Sequence, residues 1–338
     1  MKTSILFKKI FSSVLFKSGS VDNKISQLCA QDLTLILMYH RVVPADQLVQ
    51  AGMYVSPATF ESHLIFLAKY FNVVPLNSLT VKKNRAGIRG KPSCVLTFDD
   101  GWQDFYEYAY PLLVKYQLPA TVFLPTEFIG TGKQFWTDCF AGLLSHRQAT
   151  IPEKLSCPDI LPVVAYLDGL QGSFAKRLEA GIEYLKKYPL SKIEKVLAGL
   201  SEIWQVDLAG SGRNFLNWAE IAEMKDSGLI SFGSHTVNHQ ILTTLDNTAI
   251  KNELIASRKE LLQRNVVDSS CVSFCYPNGN HTKEIAAMVR SAGYHLAVTT
   301  RKGWNRADAD KFTLKRIGIH EDMTSTPALF ACRIAGLI

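Results

Sequence analysis

The chain has no apolar stretch long enough to cross a bilayer. Its longest run, Leu33 to Tyr39, is strand-length, far short of the roughly 18 residues a spanning helix needs. An integral membrane protein is therefore not expected. Low-complexity tracts and internal repeats are absent. With 47% apolar and 20% charged residues, disorder, collagen and coiled coil are poor fits. The seven cysteines, Cys29, Cys94, Cys139, Cys157, Cys271, Cys275 and Cys332, contain no C-x-x-C pair and no regular framework. Such an odd, scattered set implies free thiols in a reducing compartment. Cys271 and Cys275 fall in or beside a strand, poorly placed for a closed zinc site.

Net positive charge is scarce outside the N-terminus. Residues 1–24 carry five lysines against Asp22 alone, so the rest of the chain holds only +3 of the net +7. A nucleic-acid partner is excluded on that ground. Within the first 17 residues, Ile5, Leu6, Ile10, Phe11, Val14 and Leu15 recur at helical spacing, with lysines between them. Lys8 and Lys9 interrupt the apolar core that a signal peptide requires. Two readings fit: a basic amphipathic helix on an anionic membrane surface, or a helix packed on the domain. The expected location is the cytoplasm, with peripheral membrane contact through residues 1–24.

The 338 residues suffice for one large domain or two ordinary ones. From Leu33 onward, short branched apolar runs alternate with helical periodicity, the pattern of strand–helix units around a parallel sheet. Strands are predicted at Leu35–Tyr39, Asn72–Pro75, Cys94–Phe98, Ala120–Leu124, Leu229–Gly233, Val272–Tyr276 and Ala297–Thr300. The expected fold is α/β, a distorted (β/α) barrel of about seven strands occupying 33–338, after an N-terminal segment 1–32. Residues 134–214 break the alternation and read as a helical insertion rather than a separate domain.

Three stretches carry chemistry. In Cys94-Val95-Leu96-Thr97-Phe98-Asp99-Asp100-Gly101, an apolar strand runs into two adjacent carboxylates at its C-terminal edge, where barrel active sites are built. One acid can bind a cation while the other handles a proton, the division that metal-assisted water activation needs. In Gly233-Ser234-His235-Thr236-Val237-Asn238-His239, two imidazoles four apart can share one side of a helical turn and ligate a transition metal. His235, His239 and Asp100 would form a two-histidine, one-carboxylate face if the strand ends converge, and Gly233 would allow close approach of backbone to metal. The third stretch, Tyr276-Pro277-Asn278-Gly279, forms an irregular turn whose backbone N–H groups could stabilise an oxyanion. His40, following the first strand, could protonate a leaving group.

Together, Thr97-Phe98-Asp99-Asp100-Gly101, His235-Thr236-Val237-Asn238-His239 and Tyr276-Pro277-Asn278-Gly279 resemble the polysaccharide deacetylases, the NodB-homology carbohydrate esterases of family 4, over roughly 33–125 and 215–320. The resemblance implies an N-acetylated carbohydrate substrate. It implies a divalent metal on Asp100, His235 and His239, usually Zn2+, with Co2+, Ni2+ or Mn2+ as alternatives. Asp99 would be the general base, and Tyr276, Pro277 and Asn278 would bind the substrate or its oxyanion, with the Asn278 N–H donating to the latter.

Departures from the family pattern stand out. Cys275 occupies the place of an arginine that orients the base in many members, and the Asp-x-x-Asp-Trp motif is missing. The Tyr39-His40 pair matches a subgroup and favours His40 as general acid over His320. Two alternatives use the same residues: a non-haem iron oxygenase, which has no evident need for Asp99, and a catalytically silent carbohydrate-binding barrel.

Overall fold

Branched and aromatic runs become short strands that pair side by side until the sheet meets itself. The computed structural model describes residues 2–44, 53–80, 90–146, 160–208 and 212–338, with side chains from Phe7 on. In chain order the strands are β1 (Leu35–Tyr39), β2 (Arg41–Val42), β3 (Tyr54–Val55), β4 (Asn72–Val73), β5 (Ser93–Phe98), β6 (Ala120–Leu124), β7 (Ile230–Ser234), β8 (Ser273–Cys275), β9 (Leu296–Lys302) and β10 (Leu314–Gly318). Seven of them, β1, β5, β6, β7, β8, β9 and β10, form a closed parallel ring. Leu37 of β1 pairs with Leu96 of β5 on one side and with Ile317 of β10 on the other, which closes the barrel.

The expected number of staves is correct, but their membership differs by one. Asn72–Val73 pairs only along the outside edge of β5 and is not a stave. The seventh stave is β10, unmarked in the sequence because Lys315 and Arg316 interrupt its apolar pattern. Arg316 is nevertheless wholly buried. A buried arginine defeats a search for apolar runs, since the rule that charge stays outside is only statistical.

The helices are α1 (Lys2–Lys17), α2 (Ser20–Ala30), α3 (Pro57–Tyr70), α4 (Tyr110–Tyr116), α5 (Trp136–Ser145), α6 (Leu161–Gly169), α7 (Phe174–Leu185), α8 (Leu190–Trp204), α9 (Trp218–Asp226), α10 (Asn247–Gln263), α11 (Lys283–Ser291), α12 (Glu321–Thr324) and α13 (Pro327–Ala335). Local chemistry sets their ends. The Ser56 hydroxyl accepts from Thr59 N–H at 3.2 Å ahead of Pro57, and Asn217 and Glu220 form a reciprocal capping box. The described residues fall into two compact units, Met1–Gly130 with Phe215–Ile338, and Thr131–Asn214. The second has its own core, built by Phe140, Leu143, Val164, Leu185, Leu200 and Trp204. In the first, α1 and α2 lie on the barrel unit through buried Ser12, Val21 and Ile25, with the Cys332 thiol donating to the Ser12 carbonyl at 3.7 Å.

Tyr39, at the end of β1, is part of this packing. Its ring stacks on Phe98, and its hydroxyl donates to His63 Nδ1 at 3.2 Å. His63 Nε2 lies 2.8 Å from the Thr324 carbonyl. A carbonyl can only accept, so the proton sits on Nε2. The same ring stacks 3.9 Å from Phe330. Burial pulls the His63 imidazole down to about 4, only partly opposed by the Thr324 carbonyl. The unfolded chain therefore binds a proton at this residue below about pH 6.5 that the fold refuses until about pH 4, and stability falls across that window as pH drops. The full effect is about 3 kcal/mol at ~1.4 kcal/mol per pH unit. Urea unfolding at pH 7 and about pH 4.5 should show a smaller pH-dependent loss in His63→Gln than in the parent. Equal losses in both would contradict this.

Candidate metal centre and active site

β5 ends in a backbone reversal that splits the two acids. Asp99 N–H still donates to the Tyr39 carbonyl at 3.0 Å, in line with the sheet. Asp100 and Gly101 then adopt left-handed conformations, with φ of 75° and 65°. For Asp100 this is an unusual conformation, of the kind retained where surrounding structure enforces it. As a result, adjacent carboxylates meet two different sets of partners.

Asp99 faces a buried cation. Arg316 Nη1 and Nη2 reach its Oδ1 and Oδ2 at 2.7 Å each, a bidentate pair wholly inside the barrel unit. The guanidinium also donates from Nε to the Thr299 carbonyl (2.9 Å), from Nη1 to Thr97 Oγ1 (3.1 Å) and from Nη2 to Cys275 Sγ (3.2 Å). Burial alone would raise the Asp99 carboxyl, but Arg316, with help from His40 and His235, holds it below the ordinary carboxylate range. Asp99 is thus ionised at neutral pH, a state suited to accepting a proton. His40 Nε2 lies 3.9 Å from Asp99 Oδ2, and His40 Nδ1 is buried with no hydrogen-bond partner among the described residues.

Asp100 faces the imidazoles. Its Oδ1 lies 3.4 Å from His235 Nε2 and 3.2 Å from His239 Nε2. Ligand atoms of a tetrahedral site with bonds of about 2.0–2.1 Å sit roughly 3.3–3.4 Å apart, so this spacing suits a divalent cation. His235 Nδ1 is 2.8 Å from the Cys275 carbonyl, which places its proton there and leaves the Nε2 lone pair free to ligate. The other Asp100 oxygen, Oδ2, accepts from Trp102 Nε1 at 3.1 Å. The Trp102 indole is held between Phe215, stacked at 4.7 Å, and the Arg41 guanidinium, 4.4 Å from the ring centroid. The His239 side chain is 27% exposed, so the triad opens toward solvent on that side.

The two histidines do not share a helical turn, contrary to the expectation from their spacing. Residues 235–240 are irregular, and Thr236 and His239 take left-handed φ of 68° and 54°. The loop is tied instead to Glu253 of α10, which accepts from Val237 N–H (2.8 Å), Asn238 N–H (3.0 Å) and Asn238 Nδ2 (2.9 Å). Gly233 is needed for packing rather than for metal access: a Cβ there would fall 2.4 Å from Ser273 Oγ and 2.7 Å from the Phe123 ring.

A second cluster, Asp99, His235 and Cys275, also has ligand atoms within 4.8 Å of one another. It suits a cation poorly. Both Asp99 oxygens are committed to a guanidinium whose charge repels a metal, and burial pushes the Cys275 thiol up, away from the thiolate a metal needs.

After β8 the chain makes one short turn at Pro277–Gly279, with Asn278 exposed at φ 57° and Gly279 N–H donating to the Tyr276 carbonyl at 2.8 Å. Tyr276 is wholly buried, and its hydroxyl donates to the Phe312 carbonyl at 3.0 Å. Its side chain is thus an anchor beneath the turn, not a group presented to a ligand. His320 is the N-cap residue of α12, its carbonyl accepting from Met323 N–H and Thr324 Oγ1.

Sequence reasoning missed Arg316 and Trp102. A signal for the first existed: an ionised base needs an orienting cation, the expected position holds Cys275, and Arg316 sits between Leu314 and Ile317, which are both buried. Removing the cation leaves an unpaired buried charge, so Arg316→Met should cost about 3–5 kcal/mol at pH 7. The depressed carboxyl stabilises the fold above its ordinary value of about 4, and this contribution fades as pH falls through the lower folded value. Denaturation of parent and variant should therefore show a gap that narrows on acidification. A gap independent of pH would overturn the account.

The sequence model of the polysaccharide deacetylase family matches residues 86–150 and 172–297, more than half of the chain. YxkH of Bacillus subtilis, classed by its name with these deacetylases, is 24% identical over 297 residues, spanning 86% of this chain and 73% of its own. A poly-β-1,6-N-acetyl-D-glucosamine N-deacetylase of Staphylococcus aureus is 32% identical over 115 residues, 30% of this chain and 38% of that protein. Among solved structures, the Streptococcus pyogenes deacetylase PplD, in complex with acetate, superposes with a TM-score of 0.55 at 23% identity, over 86% of this chain and 94% of its own. That likeness supports the barrel fold. The family match, on a chain whose matched residues include Asp99, Asp100, His235, His239 and Asn278, places it plainly: the chain belongs to the polysaccharide deacetylase family.

Proposed function

We propose that this deacetylase hydrolyses the N-acetyl amide of amino sugars in a glycan with Asp99 as general base, His40 as general acid and a divalent cation on Asp100, His235 and His239. The observation that carries the reading is the separation of the paired acids: Asp100 faces two imidazoles and Asp99 a guanidinium. An oxygenase would have no use for the second, ionised acid. Zinc is the favoured cation, because two imidazoles and one carboxylate leave a fourth position open, with Co2+, Ni2+ or Mn2+ as substitutes. When bound, it supplies Lewis acidity that acidifies water and polarises the acetyl carbonyl.

The residues divide the remaining work. Asp99, held by Arg316, accepts a proton as the water oxygen bonds to the carbonyl carbon. The Asn278 backbone N–H, presented by the turn that Pro277 opens and Tyr276 anchors, donates to the carbonyl oxygen as charge develops there. His40, whose Nε2 lies 3.9 Å from Asp99 Oδ2, gives a proton to the departing nitrogen, so that the C–N bond breaks to leave acetate and a free amine.

The Staphylococcus aureus relative's name supports a polymer of N-acetylglucosamine as substrate class. The basic N-terminal segment favours a lipid-linked or membrane-proximal form of it, handled in the cytoplasm. Six described cysteines, Cys29, Cys94, Cys139, Cys271, Cys275 and Cys332, are free thiols, which supports a reducing compartment.

Acetate release from β-1,6-linked N-acetylglucosamine oligomers by zinc-loaded protein tests the reading. Chelation should abolish turnover and zinc restore it. Asp99→Asn should cut kcat about 100- to 10,000-fold while the metal stays bound, whereas His235→Ala should lose the metal itself. Metal-loaded protein that frees no acetate from any N-acetylated glycan would defeat it.

A further inference from the structure

The structure assigns the outer face of α1 as a docking surface for an anionic phospholipid bilayer. Phe7, Ile10, Phe11 and Val14 are 67%, 58%, 42% and 59% exposed. Their spacing of three and four residues places them within an arc of roughly 100° on one side of the helix. Four of the nine large apolar side chains left exposed among the described residues thus fall in eight consecutive positions. Scattered exposed apolar side chains need no explanation, but a contiguous stripe does. Phe7 and Phe11 stack on each other at 6.0 Å and so add to the apolar surface.

The opposite side of the helix is already occupied. Ser12 is wholly buried beneath the Cys332 thiol, and Phe16 meets the Phe66 ring at 6.3 Å. The stripe therefore cannot turn inward without breaking existing packing. It points away from the domain on a helix that is held in place.

Charge selects the occupant. α1 contains Lys2, Lys8, Lys9 and Lys17 and no acid. Lys8 and Lys17 are exposed on the two flanks of the stripe, roughly 100° and 80° from Phe7 about the helix axis, and Lys9 is exposed on the opposite side. An apolar strip bordered by charge of one sign matches a leaflet of anionic lipid, where buried apolar side chains and headgroup attraction act together. A second protein would need acids arranged opposite these lysines. No helix among the described residues is long and apolar enough to cross a membrane, so the contact is of the kind that lies on the surface.

This deepens the membrane-proximal part of the proposed function and is independent of the catalytic chemistry. Its consequence is a tethered barrel acting on glycan carried at the same surface. The test is co-sedimentation of the full chain with vesicles of phosphatidylcholine containing phosphatidylglycerol, and with phosphatidylcholine alone, beside acetate release from a soluble oligomer. The parent should bind the anionic vesicles at least about tenfold more tightly than the neutral ones, with binding weakened by salt. Phe7→Ser with Phe11→Ser, and separately Lys8→Glu with Lys17→Glu, should each lose most of that binding while acetate release is unchanged. Vesicle binding that survives both variants, or no binding by the parent, would overturn the assignment. So would a parent dimer that the Phe7→Ser, Phe11→Ser variant dissolves without any vesicle binding, since the face would then belong to a second copy. Failure of acetate release with vesicle binding intact would count against the chemistry alone.

Discussion

A single buried ion pair organises this molecule. Arg316 and Asp99 are both shut away from water, and either charge alone would be expensive there. Their bidentate geometry, with Thr97, Thr299 and Cys275 accepting the remaining guanidinium hydrogens, makes the pair tolerable. The atoms involved come from β5, β8, β9 and β10, so the pair also ties together staves distant in sequence. A carboxylate oriented in this way is ionised and fixed in direction before any ligand arrives.

The reversal after β5 gives the neighbouring acid the opposite role. Left-handed backbone at Asp100 and Gly101 turns one carboxylate toward a guanidinium and the next toward two imidazoles. Asp100 is shared between Trp102 on one oxygen and the histidines on the other, an arrangement that orients a metal ligand from behind. Burial would raise its carboxyl, but the two imidazoles hold it well below the ordinary range, so it is charged and ready to ligate.

The departure at Cys275 has a structural answer. Where many family members carry an arginine on the third motif, this chain has a small thiol. Arg316 reaches Asp99 from β10 and donates to that sulfur at 3.2 Å. The orienting cation has moved two staves round the barrel, from β8 to β10, with Thr299 of the intervening β9 accepting from Arg316 Nε. A guanidinium thus meets Asp99 from a different stave.

Much of the fold is legible in the sequence. Branched runs at 35–39, 94–98 and 120–124 marked true staves, and the Asn217–Glu220 capping box and Ser56-Pro57 marked real helix starts, because these signals are local. Asp100, His235 and His239 could be grouped from residue type alone, since few other side chains bind a transition metal. What the chain order could not express was partnership across the barrel. Asn72–Val73 looks like a stave and is not, Leu314–Gly318 does not look like one and is, and Arg316 meets Asp99 across 217 positions. Residue chemistry is a property of each position and is written in the sequence. Which charge neutralises which depends on ring closure, and only the tertiary structure decides it.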